Sequence, residues 1–96
     1  MNKIPKTFEK WNDTWSELKR TETYALYERN GKNGKHYEVV RISVRKKDQK
    51  WPNGKVTPAG EFLRTGDTDY GLHTWCFKGD DQGLVLATQR FNEVSE

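Results

Sequence analysis

Cysteine is nearly absent: Cys76 stands alone, so no intramolecular disulfide can staple the chain, and that usage suits a reducing compartment. No apolar run approaches the length of about twenty residues that spans a bilayer. The N-terminal MNKIPKTFEKWND has no apolar core of a leader, so no secretory signal is expected. Apolar residues make up only 32% of the chain, which excludes a large aliphatic core. The soft metal ligands are few as well. His36, His73 and Cys76 give no two clustered pairs, and on a strand His73 and Cys76 fall on opposite faces, so no metal is expected. Gly31-Lys32-Asn33-Gly34-Lys35 lacks the spacing and the Lys-Ser/Thr ending of a phosphate loop, so no nucleotide cofactor is expected. Asp67/Asp69 and Asp80/Asp81 stand in turn contexts, and Cys76 lies between Trp75 and Phe77 as a small hydrophobe would. No constellation for catalysis emerges, and an enzyme is not expected.

What the chain does hold is aromatic and basic. Four Trp, four Tyr and four Phe in 96 residues can supply a compact core for one domain, residues 1–96. Charge is uneven. Residues 1–66 carry 15 Lys and Arg against 8 Asp and Glu, whereas residues 67–96 carry 2 against 6. Such a split steers partners without specifying a fold.

The segment HYEVVRISVRKK, residues 36–47, alternates with period two. Val40, Ile42 and Val44 share one face; Tyr37, Val39, Arg41, Ser43 and Arg45 share the other. It reads as a half-buried strand with an apolar side and a basic-aromatic side. Thr23–Arg29 reads as its antiparallel partner across the Asn/Gly-rich stretch 30–35. Tyr70–Lys78 reads as a third strand with Trp75 and Phe77 inward. Asp80 or Asp81 then caps a helix carrying Leu84, Ala87, Thr88 and Phe91, with a fourth strand over Leu84–Phe91 as the rival reading. Upstream, Phe8, Trp11, Trp15 and Leu18 recur at steps of three and four and predict an amphipathic helix from Thr7. Residues 1–6 are expected to fray. Residues 47–69, punctuated by Pro52-Asn53-Gly54, Pro58 and Gly60, are expected to form a long loop region, with Glu61–Arg64 as a short edge strand. The expected fold is α+β: a three-stranded antiparallel sheet with a C-terminal helix and the N-terminal amphipathic helix packed on it.

The candidate binding residues are Tyr37, Arg41, Arg45, Lys46, Lys47, Lys50, Trp51 and Lys55. Cations with interleaved aromatics suit a surface that takes a single strand or tracks a nucleic-acid backbone, with Tyr37 and Trp51 as the candidate stacking residues. A solvated face with edge lysines that block strand aggregation is the plainer explanation.

The phrases Thr23-Tyr24-Ala25-Leu26-Tyr27-Glu28, Tyr37-Glu38-Val39-Val40-Arg41-Ile42 and Trp75-Cys76-Phe77 followed by Ala87 and Phe91 resemble small, largely uncharacterised accessory proteins of phages and prophages. The likeness covers Glu22–Phe91, and its motifs are structural. It implies a stoichiometric protein binder in the bacterial cytoplasm, inhibiting a host or defence factor in the manner of anti-CRISPR or anti-restriction proteins. Its charge would steer docking, and Trp51 would anchor it. Direct nucleic-acid binding through the basic face is the alternative.

Overall fold

The computed structural model describes residues 3–32, 34–66 and 69–95. Eight strands precede one helix: β1 Thr7–Lys10, β2 Asp13–Arg20, β3 Tyr24–Gly31, β4 Gly34–Arg45, β5 Gln49–Lys50, β6 Val56–Thr57, β7 Gly60–Leu63, β8 Thr74–Lys78 and α1 Asp81–Val94. The main sheet runs β1-β2-β3-β4-β7, with β8 also paired to β4, and β5 and β6 form a separate two-stranded ribbon. Every pairing between these strands is antiparallel. The expected three-stranded sheet with an N-terminal helix is therefore wrong. The protein is mostly β, a sheet curled into a half-barrel, with one helix among the described residues, near the C-terminal end.

The N-terminal correction has a local cause. Trp11 and Asn12 have φ of 56° and 64°. Two successive left-handed residues make the turn that joins tightly twisted hairpin strands. Phe8 and Trp15 then face each other across β1 and β2, with ring centroids 5.7 Å apart. Their spacing fits a helical stripe equally well, but Asn12, Asp13, Thr14 and Ser16 favour turns and extended backbone over helix. Leu18 falls in the bulge between Glu17 and Lys19 and is exposed.

The hairpin of β3 and β4 forms as expected, from Tyr24↔Arg41 to Gly31↔Gly34. Gly34 has φ of 95°, so glycine fits the bend where a side chain would strain it. Asn33, part of the expected turn signal, lies outside the described residues, as do Met1, Asn2, Asp67, Thr68 and Glu96.

β4 is the spine. β3 lies along one edge; β8 and then β7 share the other. Both faces of the sheet are buried at its centre. On the face away from the helix Trp15, Ala25, Tyr27, Val40 and Ile42 pack with Ile4, Phe8 and Leu63. On the helix face Leu26, Tyr37 and Val39 meet Ala87 and Phe91 of α1, flanked by Trp75 and Phe77. Each fully buried apolar side chain here contributes about 1.5–3 kcal/mol. The expectation of one greasy and one basic face on β4 fails for this reason. The helix covers Tyr37 and Val39, while Val44, beyond both layers, is exposed.

The helix over Leu84–Phe91 is present. Asp80 caps it, its Oδ1 accepting the Gly83 N–H at 2.6 Å. Gly83 abuts the end of β8: a Cβ there would lie 1.7 Å from the Lys78 carbonyl oxygen. Residues 3–6 are tied down in part, since Ile4 donates its N–H to Glu61 Oε1 at 3.1 Å. Among the described residues no helix is long and apolar enough to cross a membrane.

Candidate functional site

The stretch expected as a long loop is largely built. β4 and β7 pair from Ile42↔Leu63 to Arg45↔Gly60. The two chains separate over residues 46–48 and 58–59, then pair again as β5 and β6. Asp48 Oδ1 spans the gap, accepting the Ala59 N–H at 2.8 Å. Trp51 N–H donates to the Lys55 carbonyl at 2.9 Å, and Gly54 N–H to the Trp51 carbonyl at 3.0 Å. Turn chemistry explains the closure. Pro52 presets its φ, Asn53 Oδ1 accepts the Lys55 N–H at 3.0 Å, and Gly54 takes φ of 84°. The result is a hairpin arm, and β5 and β6 contact each other but no other strand or helix.

Residues 46–56 are all exposed. The arm carries Arg45, Lys46, Lys47, Lys50 and Lys55 against one carboxylate, Asp48. Arg45 is half-buried, its guanidinium 4.6 Å from the Phe62 ring centre at the arm's root. Trp51, 46% exposed, donates its indole N–H to Thr57 Oγ1 at 2.9 Å.

Six of the eight candidate residues thus come together on one projecting element. The other two do not join them. Tyr37 is 5% exposed beneath the helix side of the sheet, with Lys35 Nζ 5.5 Å from its ring. It is core, because α1 covers that face of β4. Arg41 is exposed on the sheet before the arm begins, its guanidinium 3.5 Å from His73 Nδ1.

A second cluster was not visible in the sequence. At one end of the face away from the helix, Arg29 pairs with Asp13 through Nε and with Glu38 through Nη1, the latter at 3.2 Å. The guanidinium lies 5.3 Å from the Trp11 ring and 5.2 Å from the Trp15 ring. Tyr70 donates its hydroxyl to Glu38 Oε1 at 3.4 Å. Glu38 is 1% exposed, and its Oε2 has no hydrogen-bond partner among the described residues. Burial pushes the Glu38 carboxyl above its usual range, and the Arg29 charge only partly offsets this. Cys76 lies across β4 from Glu38. Loss of hydration and then the Glu38 charge push its thiol up to about 11, and Tyr70 rises to about 12 for the same two reasons. A thiol held protonated is a poor nucleophile. Its alternation places it with Glu38 on the face away from the helix and exposes it, so it is not the core hydrophobe expected from its neighbours. Only a cleft of about 120 Å³ opens here, beside Asp13, His36 and Cys76. The cluster's ionic groups are spent on one another, which makes it a brace between β2, β3 and β4.

A groove of about 740 Å³ runs between the N-terminal segment and β4. Arg20 and Glu61 in its lining pair with each other, and Lys3 and Glu22 add one charge of each sign, so it presents no like-charged set to a ligand. No family model, curated protein or solved structure matches the chain. The likeness to phage accessory proteins therefore rests on the quoted residues alone.

Proposed function

We propose that this protein is a non-enzymatic binding module that grips a nucleic-acid backbone with the arm of residues 45–57. One observation carries the reading: a ribbon standing clear of both cores carries four exposed lysines and an exposed tryptophan, with Arg45 at its root. Lysines that guard against aggregation belong on the free edges of a sheet. The free edges of the main sheet are on β1, β7 and β8, which carry none of the arm's lysines; of these lysines only Lys50 lies on a strand, β5 of the ribbon. Phosphate neutralisation releases counterions, so such binding weakens steeply with salt. Fluorescence anisotropy of a labelled oligonucleotide, titrated at rising salt, tests it. With four or five phosphates neutralised, log K falls against log salt with a slope of about −3 for a single strand. Lys46→Glu combined with Lys47→Glu flattens the slope and weakens binding. Absence of binding at low salt removes the reading.

A second reading is favoured by Val44 and Val56, 47% and 54% exposed, which put apolar knobs among the arm's cations. They suit a protein partner, in the manner of a stoichiometric inhibitor of a host or defence factor acting in the bacterial cytoplasm. Arg45→Glu would then abolish capture of one defined protein and leave oligonucleotide affinity negligible throughout.

A further inference from the structure

We infer that the nucleic acid taken by the arm is single-stranded, with Trp51 as the platform on which one unpaired base stacks; this rests on the arm being a nucleic-acid interface. The two exposed tryptophans differ in a way that decides it. Trp11 already has Lys10 Nζ 5.0 Å and the Arg29 guanidinium 5.3 Å from its ring centre. Its π surface is occupied by the protein's own cations. Over Trp51 no ring or cation lies among the described residues.

The Trp51 ring is also held in place. Its indole N–H is tied to Thr57 Oγ1, and its backbone is fixed on both sides, N–H to Lys55 and carbonyl from Gly54. A ring held before the ligand arrives loses little conformational freedom on binding. The tie runs back along the ribbon, away from the apex Pro52-Asn53-Gly54. A wedge that parts the stacked bases of a duplex has to project from the tip. An indole laid against the ribbon offers a flat face instead, and a base can use it only when one of its own faces is free of neighbours. Lys50 adjoins Trp51 in sequence, and Lys55 is hydrogen-bonded to it through the backbone across the ribbon, so the chain carries two cations next to this position for flanking phosphates.

The experiment compares a single-stranded oligonucleotide with the duplex of the same sequence at one fixed salt concentration. The proteins are the wild type, Trp51→Ala, Trp51→Phe and Thr57→Val. The wild type is expected to prefer the single strand by about tenfold or more. Trp51→Ala is expected to lose about 5- to 100-fold in single-strand affinity with duplex affinity and salt slope unchanged, the range set by base–aromatic stacking. Trp51→Phe retains most of the affinity, and Thr57→Val, which frees the ring without removing it, falls between. Thermal melting of each variant checks that the fold is intact. Equal or better binding of the duplex by the wild type overturns the inference while leaving the arm as an interface. So does an equal loss on both substrates in Trp51→Ala. Failure of the wild type to bind either oligonucleotide overturns the arm reading itself. Binding of a poly-glutamate peptide as tightly as the single strand also overturns the inference, because charge alone would then explain the affinity.

Discussion

Glu38 sits at mid-β4, directly across from Tyr27 on one side and Cys76 on the other. Water is excluded, so ionising its carboxyl costs more than Arg29 returns, and it takes up its proton at a higher pH than in the unfolded chain. Protonation as pH falls through that raised value therefore favours the fold. Asp69 behaves oppositely: its hydrogen bond from Arg64, then the Gly66 N–H, hold its carboxyl below the usual range. Glu61 is drawn upward by burial, but Arg20 and the Ile4 N–H outweigh this and lower it. The stability supplied by these two is present above the ordinary carboxylate range and is lost as pH falls through their depressed values. Melting temperature should consequently rise on mild acidification from neutral pH and then fall at lower pH. Glu38→Gln, which keeps an acceptor for Arg29 and Tyr70, should abolish the rise and leave the fall. A melting series over about pH 3–8 checks this; a rise that persists in the variant would assign it to another group.

Among the elements, the β1–β2 hairpin shows most clearly what a single sequence leaves undecided. Phe8 and Trp15 are seven residues apart, which places them on one face of a helix and equally opposite each other across a two-residue turn. What selects the hairpin is the partner. β3 offers Trp15 a fully buried place beside Tyr27, centroids 5.7 Å apart, and Arg29 to stack upon. The turn bears the strain of two left-handed residues, of which asparagine tolerates that conformation best. Asn12→Ala should cost about 1 kcal/mol, and Asn12→Gly should cost nothing or stabilise slightly, as read by chemical denaturation. Elements with self-contained signals were legible beforehand. The Asn/Gly bend announced the β3–β4 hairpin. Asp80 with Leu84, Ala87 and Phe91 announced α1. Phe62 and Leu63 lie in β7 where an edge strand was expected.

At the scale of the whole molecule, the protein divides into a doubly buried sheet and an arm that shares neither core. Excising residues 46–59 and joining Arg45 to Gly60 through Asn-Gly, a pair suited to a two-residue hairpin turn, should leave the melting temperature nearly unchanged. The same deletion should abolish oligonucleotide affinity. A large drop in stability would mean that the arm braces the sheet. The arm's cations were legible because they are contiguous in the chain. Tyr37 was misassigned because the residues that cover it, Ala87 and Phe91, lie some fifty positions further along.

The amino-acid order alone determined the local features: the alternation in β4, the turns at Gly34 and Gly54, the helix cap and the cluster of positive charge. Each depends on a few neighbouring residues and their backbone preferences. Only the tertiary structure decided which strand faces were hidden, that Phe8 and Trp15 stack across a hairpin, and that Asp13, Arg29 and Glu38 meet. Those outcomes depend on surfaces brought together from distant parts of the chain, and burial is a property of the assembled layers that no single segment carries.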